Sequence, residues 1–219
     1  MGDWIEDDNI NYDYILRYIR ETIPKRDGLL LEMEEYAKEH SVPISQPESI
    51  RFLEIIIKIA NAKRILEVGS AIGYSAIRMS RAAGGEVTTI ELSEEMALVC
   101  DENIKKAGLS DKITLIKGDA REVLPKISGE YDLIFVDAAK GQYTEFFKES
   151  QRLLRKGGIL VSDNVLYKGM TATDELLIHR KITLVRRLRS YLDMLKGNKE
   201  FSTAIIPIGD GVALSFKEE

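Results

Sequence analysis

From Lys63 onward the chain alternates, without exception, between short runs that suit a buried strand and longer runs that suit a helix. The strand-like runs are RILEV, EVTTIEL, ITLIKG, YDLIFVD and GILVSD; between them lie YSAIRMSRAA, SEEMALVCDENIKKAG, AREVLPKI and QYTEFFKESQRLLRKG. Such β–α alternation predicts a mostly parallel sheet covered on both faces by crossover helices, and near-continuous apolar strands agree with double burial. The ending breaks the rhythm. A helix predicted over Asp174 to Leu195 is followed by TAIIPIG and DGVALSFK, with Gly209, Asp210 and Gly211 between them. That spacing predicts a hairpin, so an antiparallel pair should close a seven-stranded sheet. Upstream, three helical segments are punctuated by Pro24, Pro43 and Pro47, the last placed where a helix can begin. The expected organisation is one α/β domain over 1–219, with a helical cap at 1–62 and the ligand-binding core at 63–219.

Composition removes several function classes. With 219 residues and 44% hydrophobic content the chain can bury a full core. No run of about 18 apolar residues exists to cross a membrane, and the opening MGDWIEDDNINYD has no apolar signal core. Cys100 is the single cysteine, which excludes an internal disulfide and fits a reducing, cytoplasmic setting. His40 and His179 stand far apart without companion ligands, against a zinc site or a serine–histidine triad. The net charge of −5 weighs mildly against a nucleic-acid partner for the chain as a whole, although a local patch escapes such a sum.

The chemistry gathers at predicted strand ends, where open α/β sheets bind ligands. LEVGSAIGYS, with Gly69 and Gly73, joins the first strand of the alternation to its helix; its G-x-x-x-G spacing differs from the dinucleotide pattern G-x-G-x-x-G. Glu67, just before the turn, suits a zwitterionic or cationic ligand. Glu91 ends the next strand, where an acid can accept both hydrogen bonds of a ribose diol. Asp119 ends the third, within reach of an adenine amino group. Asp137 ends the fourth, and Asp163 with Asn164 ends the fifth. Two carboxylates and an amide oxygen on neighbouring tips are hard ligands, too few for a calcium cage and suited to Mg²⁺. Capping is the plain alternative for the SDN run, since Asp and Asn favour helix N-termini and turns. Lys140, three residues beyond Asp137, is either a solvated loop lysine or a cation beside the reacting group.

In combination, LEVGSAIGYS, IELS, GDA, VDAAKGQY, DNVLYKG and IIPIGDGVAL resemble the metal-dependent O-methyltransferases that use S-adenosylmethionine, the catechol and caffeoyl-CoA enzymes among them. The likeness runs from about Pro43 to the C-terminus. It implies a Rossmann-like class I methyltransferase fold, a homodimer, and a direct methyl transfer from sulfonium to oxygen. It also implies residue roles. Ser45, the turn at Gly69 and the Ser75 hydroxyl hold the methionine part of the cofactor, with Glu67 and Asp137 beside it. Glu91 holds the ribose, and Asp119 and Ala120 face the adenine. Asp137, Asp163 and Asn164 bind Mg²⁺, and Lys140 serves as base or as charge partner of the acceptor oxygen. The loop VPISQPES departs from the acidic, glutamine-containing pattern of caffeoyl-CoA enzymes, which bears on Ser45.

For the acceptor, the likeness is nearest to the bacterial branch that methylates 5-hydroxyuridine at the tRNA wobble position; small catechols or acyl-CoA esters are the alternative, and a cofactor sensor without turnover is a third reading. The segment His179–Lys199 holds seven basic residues and one acid, a local +6 that leaves −11 for the rest. Leu177, Leu184, Leu188, Leu192 and Leu195 trace an apolar stripe along it. Two readings compete: an amphipathic helix with snorkelling arginines, or a phosphate-binding face for a tRNA anticodon loop. On the second reading Lys168, Arg180, Arg186, Arg187 and Arg189 are the nucleic-acid contacts.

Overall fold

The structure, a computed structural model, describes residues 10–219. Residues 1–9, which open the expected cap, lie outside the described residues. Three helices lead: α1 (Asp13–Thr22), α2 (Gly28–Glu39) and α3 (Pro47–Ile59). Asp27 caps α2 by accepting from the Leu30 amide, and Pro47 opens α3, where its missing N–H costs nothing. The core then alternates through β1 (Arg64–Val68), α4 (Tyr74–Ala83), β2 (Glu86–Glu91), α5 (Glu94–Lys106), β3 (Ile113–Lys117), the short α6 (Ala120–Val123), β4 (Tyr131–Val136), α7 (Tyr143–Leu153), β5 (Leu154–Ser162), α8 (Ile182–Gly197), β6 (Phe201–Ile206) and β7 (Val212–Lys217).

The seven strands lie in the order β3-β2-β1-β4-β5-β7-β6. The first five are parallel, and β7 runs antiparallel to both β5 and β6. The expected α/β fold with its closing hairpin is therefore present. Successive side chains of one strand feed opposite cores, as the pleat requires. Ile65, Leu133, Phe135 and Val161 pack against helices α2 to α5, while Leu66, Val68, Ile134, Val136 and Leu160 pack against α7 and α8. The strand order reverses between β1 and β4, which opens a crevice at their carboxyl ends.

Two element boundaries differ from the sequence reading. Strand β5 starts at Leu154, before the glycines, because Leu154 pairs with Tyr131 ahead of a register shift in the β4–β5 ladder. Helix α8 starts at Ile182 rather than Asp174; a 3-10 turn occupies His179–Lys181. The preceding loop is pinned from a distance: the Arg189 guanidinium donates to the carbonyls of Thr171 and Met170 and to Asp174 Oδ1. The buried face of α8 is consequently Val185, Leu188, Tyr191 and Leu195, so Leu177 falls outside the helix and Leu184 and Leu192 sit at its margin. Tyr191 anchors that face. Its ring meets Tyr143 edge-on at 5.4 Å, and its hydroxyl lies 2.6 Å from Ser162 Oγ.

Candidate active site

A cavity of about 870 Å³ opens over the carboxyl ends of β1 to β5. Its walls include the β1–α4 turn, the tips of β2 to β5, the loop before α3, and parts of α1 and α2. Ser45, Gly69, Ser75, Glu91, Asp119, Ala120, Asp137, Lys140, Asp163, Asn164 and Lys168, singled out from the sequence, all line it.

At one end the residues suit a nucleoside. Both Glu91 oxygens are oriented by backbone donors, Ala71 N and Ser93 N, each at 2.8 Å, which leaves further lone pairs for a diol. Asp119 does more than face the cavity. It caps α6 by accepting from Arg121 N, and the Arg121 guanidinium grips both its oxygens. That guanidinium holds the Asp119 carboxyl below the usual carboxylate range.

Glu67 corrects the sequence reading. It is fully buried and is absent from the cavity wall. Strand alternation turns it under the floor, where Ser75 Oγ and Thr89 Oγ1 donate to it, the latter at 2.5 Å. Its role is to orient Ser75, which does reach the cavity. Burial, offset in part by those two hydroxyls, pushes its pKa up to about 8. The folded protein thus keeps a proton that the unfolded chain releases near 4.5, so stability falls as pH rises from about 4.5 to about 8. Glu67→Gln is expected to flatten that slope and to add stability at pH 8, on the order of 4 kcal/mol from the size of the shift. Thermal melts of both proteins from acid to alkaline pH check it; parallel curves would rule out a titrating Glu67.

The other end gathers charge. Asp137 is half-buried in the cavity wall, and Asp163 is only 2% exposed. Burial raises both carboxyls; Lys140 and Ser45 counter this at Asp137, whose own charge raises Asp163 further. Ser45 Oγ lies 3.4 Å from Asp137 Oδ2. Lys140 Nζ donates to Asn164 Oδ1 at 3.0 Å, and Asn164 N donates to Asp163 Oδ1 at 2.7 Å. Tyr143, not singled out from the sequence, secures the tip by donating from its hydroxyl to the Asp163 carbonyl at 2.9 Å. Asp210 is a second such residue. It lines the cavity from the β6–β7 turn and accepts from Lys168 N; only its turn-forming character was legible in GDG.

The predicted basic face is split. Arg189 is committed to the 170–174 loop, its guanidinium donating to two carbonyls and to Asp174. Arg187 Nη1 reaches the Gly141 carbonyl at 3.5 Å, over the turn that carries Lys140. Arg180 and Arg186 are exposed and stand outside the cavity wall. Neither reading of this helix holds throughout: one arginine is structural, one sits at the rim, and two project into solvent.

Residues 23–218 match a family model described as O-methyltransferase. The chain belongs to this O-methyltransferase family. It is 32% identical over 217 residues to a catechol O-methyltransferase of Niastella koreensis, covering 93% of this chain and 96% of that one. It is 33% identical over 210 residues to a caffeoyl-CoA O-methyltransferase of Populus kitakamiensis, covering 91% and 84%. Among solved structures, an SAH-bound methyltransferase of Podospora anserina superposes with a TM-score of 0.87 at 26% identity, covering both chains completely. An O-methyltransferase of Bacillus cereus in complex with SAH gives 0.83 at 25%, covering 94% of this chain and 97% of that one. This chain is an S-adenosylmethionine-dependent O-methyltransferase, which removes the sensor reading. No helix of this O-methyltransferase, among the described residues, is long and apolar enough to cross a membrane.

Proposed function

We propose that this O-methyltransferase methylates a ring hydroxyl that has a second oxygen beside it, with Mg²⁺ held by Asp137, Asp163 and Asn164. The observation that carries this reading is the charge imbalance at the tips of β4 and β5. Two carboxylates, half-buried Asp137 and buried Asp163, stand near one ammonium, Lys140, and an amide oxygen faces the same space. Enclosed charges without a matching countercharge are costly, and a divalent cation on hard oxygen ligands removes the excess. The two aspartates and the Asn164 carbonyl suit such an ion in kind, as hard oxygen donors on neighbouring strand tips. When bound, Mg²⁺ supplies positive charge that favours the ionised form of the acceptor.

The protein's own groups do the rest. Glu91 and the β1–α4 turn hold the nucleoside end of the cofactor, and Ser75, oriented by Glu67, borders its reacting end. Lys140 Nζ, three residues past Asp137, either takes the acceptor proton or remains charged beside the oxyanion. The turn at 140–142 and Tyr143 keep it there. Fixing donor and acceptor in line contributes up to roughly 7–11 kcal/mol to lowering the barrier.

Two acceptors present the required pair of oxygens. Catechols carry adjacent hydroxyls, and the named activities of the Niastella and Populus relatives favour such small molecules. 5-Hydroxyuridine at the tRNA wobble position carries a hydroxyl beside a carbonyl. The cations at the rim, Lys168 and Arg187, and the local +6 of the segment behind them favour this second reading. The test is incubation with S-adenosylmethionine and Mg²⁺ of catechols and, separately, of tRNA from cells lacking this gene. Conversion of 5-hydroxyuridine to 5-methoxyuridine by mass spectrometry selects tRNA. Methylated catechol with unchanged tRNA selects the small molecule, and neither product refutes the paired-oxygen acceptor.

A further inference from the structure

Tyr167 holds a backbone conformation that an aromatic L-residue seldom adopts, φ 47°, and Lys168 follows at 55°. Strain of this kind persists only where neighbours over-determine it. Here they do. Leu166 N donates to the Asp210 carbonyl at 3.0 Å and Val165 N to Gly211 at 2.9 Å. Thr171 Oγ1 ties the carbonyls of Val165 and Leu166 at 3.0 and 2.9 Å. The loop is therefore built to hold the Tyr167 ring where it stands.

Two ammonium groups approach that ring. Lys140 Nζ lies 5.9 Å from its centroid and Lys181 Nζ 5.7 Å. Lys140 is explained, because it faces the cavity and bonds Asn164. Lys181 is not. It is half-buried just before α8, outside the cavity wall, and no carboxylate of the described residues pairs with it. Cation–π contact with one ring is a small attraction where water still reaches the cation. That is a weak reason to gather two like charges about a strained residue. Arg187 adds a third cation over the same 140–142 turn. Among the described residues, no carboxylate forms an ion pair with Lys181 or with Arg187.

The geometry points to Lys181 as a specificity-determining residue that receives a phosphate carried by the acceptor, with the Tyr167 ring, which both ammoniums approach, linking it to Lys140 at the cavity. The inference rests on the reading that the acceptor ring docks at Asp137, Asp163 and Asn164. Lys140 lines the cavity, and Lys140 and Lys181 stand 5.9 and 5.7 Å from the Tyr167 ring centroid, which brings Lys181 near the Lys140 side of the cavity. A phosphate, with several anionic oxygens, matches cations at Lys181 and Arg187 better than a single carboxylate does.

The test uses two matched pairs of acceptors with the full-length, Mg²⁺-loaded enzyme: 3,4-dihydroxybenzyl alcohol against its phosphate ester, and 5-hydroxyuridine against its 5′-monophosphate. The phosphate member of at least one pair is expected to show a kcat/KM about tenfold higher at low salt, the size of one charge-assisted contact. Lys181→Gln should bring that ratio to near one, Lys181→Arg should keep most of it, and Lys148→Gln, an exposed charge change on α7, should leave it intact. A preference confined to the nucleotide pair assigns the phosphate to a nucleic-acid chain; one confined to the benzyl pair assigns it to a small ester. A ratio near one in the wild type, or one that survives Lys181→Gln, overturns the role of Lys181. If none of the compounds is methylated, the paired-oxygen reading fails instead. Calorimetric affinities of the same pairs for the SAH- and Mg²⁺-loaded enzyme then decide Lys181 separately, and equal affinities within both pairs overturn it.

Discussion

Asp163→Asn is expected to lower kcat by about a thousandfold or more while leaving SAH affinity within a fewfold of the wild type. The size follows from what the substitution removes. Preorganised charge at the reacting oxygen commonly contributes more to catalysis than any other effect, and loss of one neutral donor alone costs roughly 10²–10³ in rate; on the proposed function a full charge and a Mg²⁺ ligand go together here. Asparagine keeps the shape and an oxygen for the Asn164 amide, which now meets Asp163 Oδ1 at 2.7 Å. Glu91 and Asp119, the proposed cofactor contacts, lie at other strand tips and are untouched. A second readout separates charge from folding. Asp137 raises the Asp163 carboxyl by proximity, so removing one of the two charges relieves repulsion. The metal-free variant should melt no lower than the metal-free wild type, and calorimetry should show weakened Mg²⁺ binding. Undiminished turnover of the variant, or wild-type turnover that survives a chelator, would refute the metal assignment.

Gly69→Ala is expected to cost at least about 3 kcal/mol of stability and to abolish measurable SAH binding in whatever fraction stays folded. Gly69 ends the β1 tip with φ 97°, and an added Cβ would stand 2.3 Å from the Asp137 carbonyl oxygen, 2.9 Å from its carbon and 3.2 Å from Ala138 Cα. All three are backbone atoms of the neighbouring strand tip, so no side chain can swing aside. Relief requires parting β1 from β4 at the point where Asp137 is presented, which disturbs both halves of the site. Gly84→Ala is the control. It caps α4 with φ 56° and has nothing within 4 Å of its would-be Cβ, so only the left-handed penalty of about 1–2 kcal/mol applies. Thermal melts and SAH titrations of the two variants make the comparison; equal losses would show that the clash at Gly69 is absorbed.

Several features of the fold were legible without coordinates, because they depend on spacing along the chain. Unbroken β–α alternation admits little except a parallel sheet with crossover helices, and the glycine-flanked hairpin ends it in an antiparallel pair. Polar residues at the ends of apolar strands must then share one edge of the sheet. That is why Glu91, Asp119, Asp137, Asp163 and Asn164 could be brought to one cavity from their positions alone. What spacing cannot supply is the direction of a side chain once segments distant in sequence pack together. Glu67 stands beside the same turn as Ser75, yet the pleat sends it beneath the floor to meet Thr89, 22 residues away. The periodicity of α8 runs on through Asp174, but Arg189 reaches back and binds that stretch as a loop. Tyr143 reaches the Asp163 carbonyl, and Lys181 the Tyr167 ring, across 20 and 14 residues by way of the α7–α8 packing. Local periodicity sets which elements form and which ends carry charge. Packing angle and side-chain shape decide which of those charges face the ligand, which support a neighbour, and which are left at the rim.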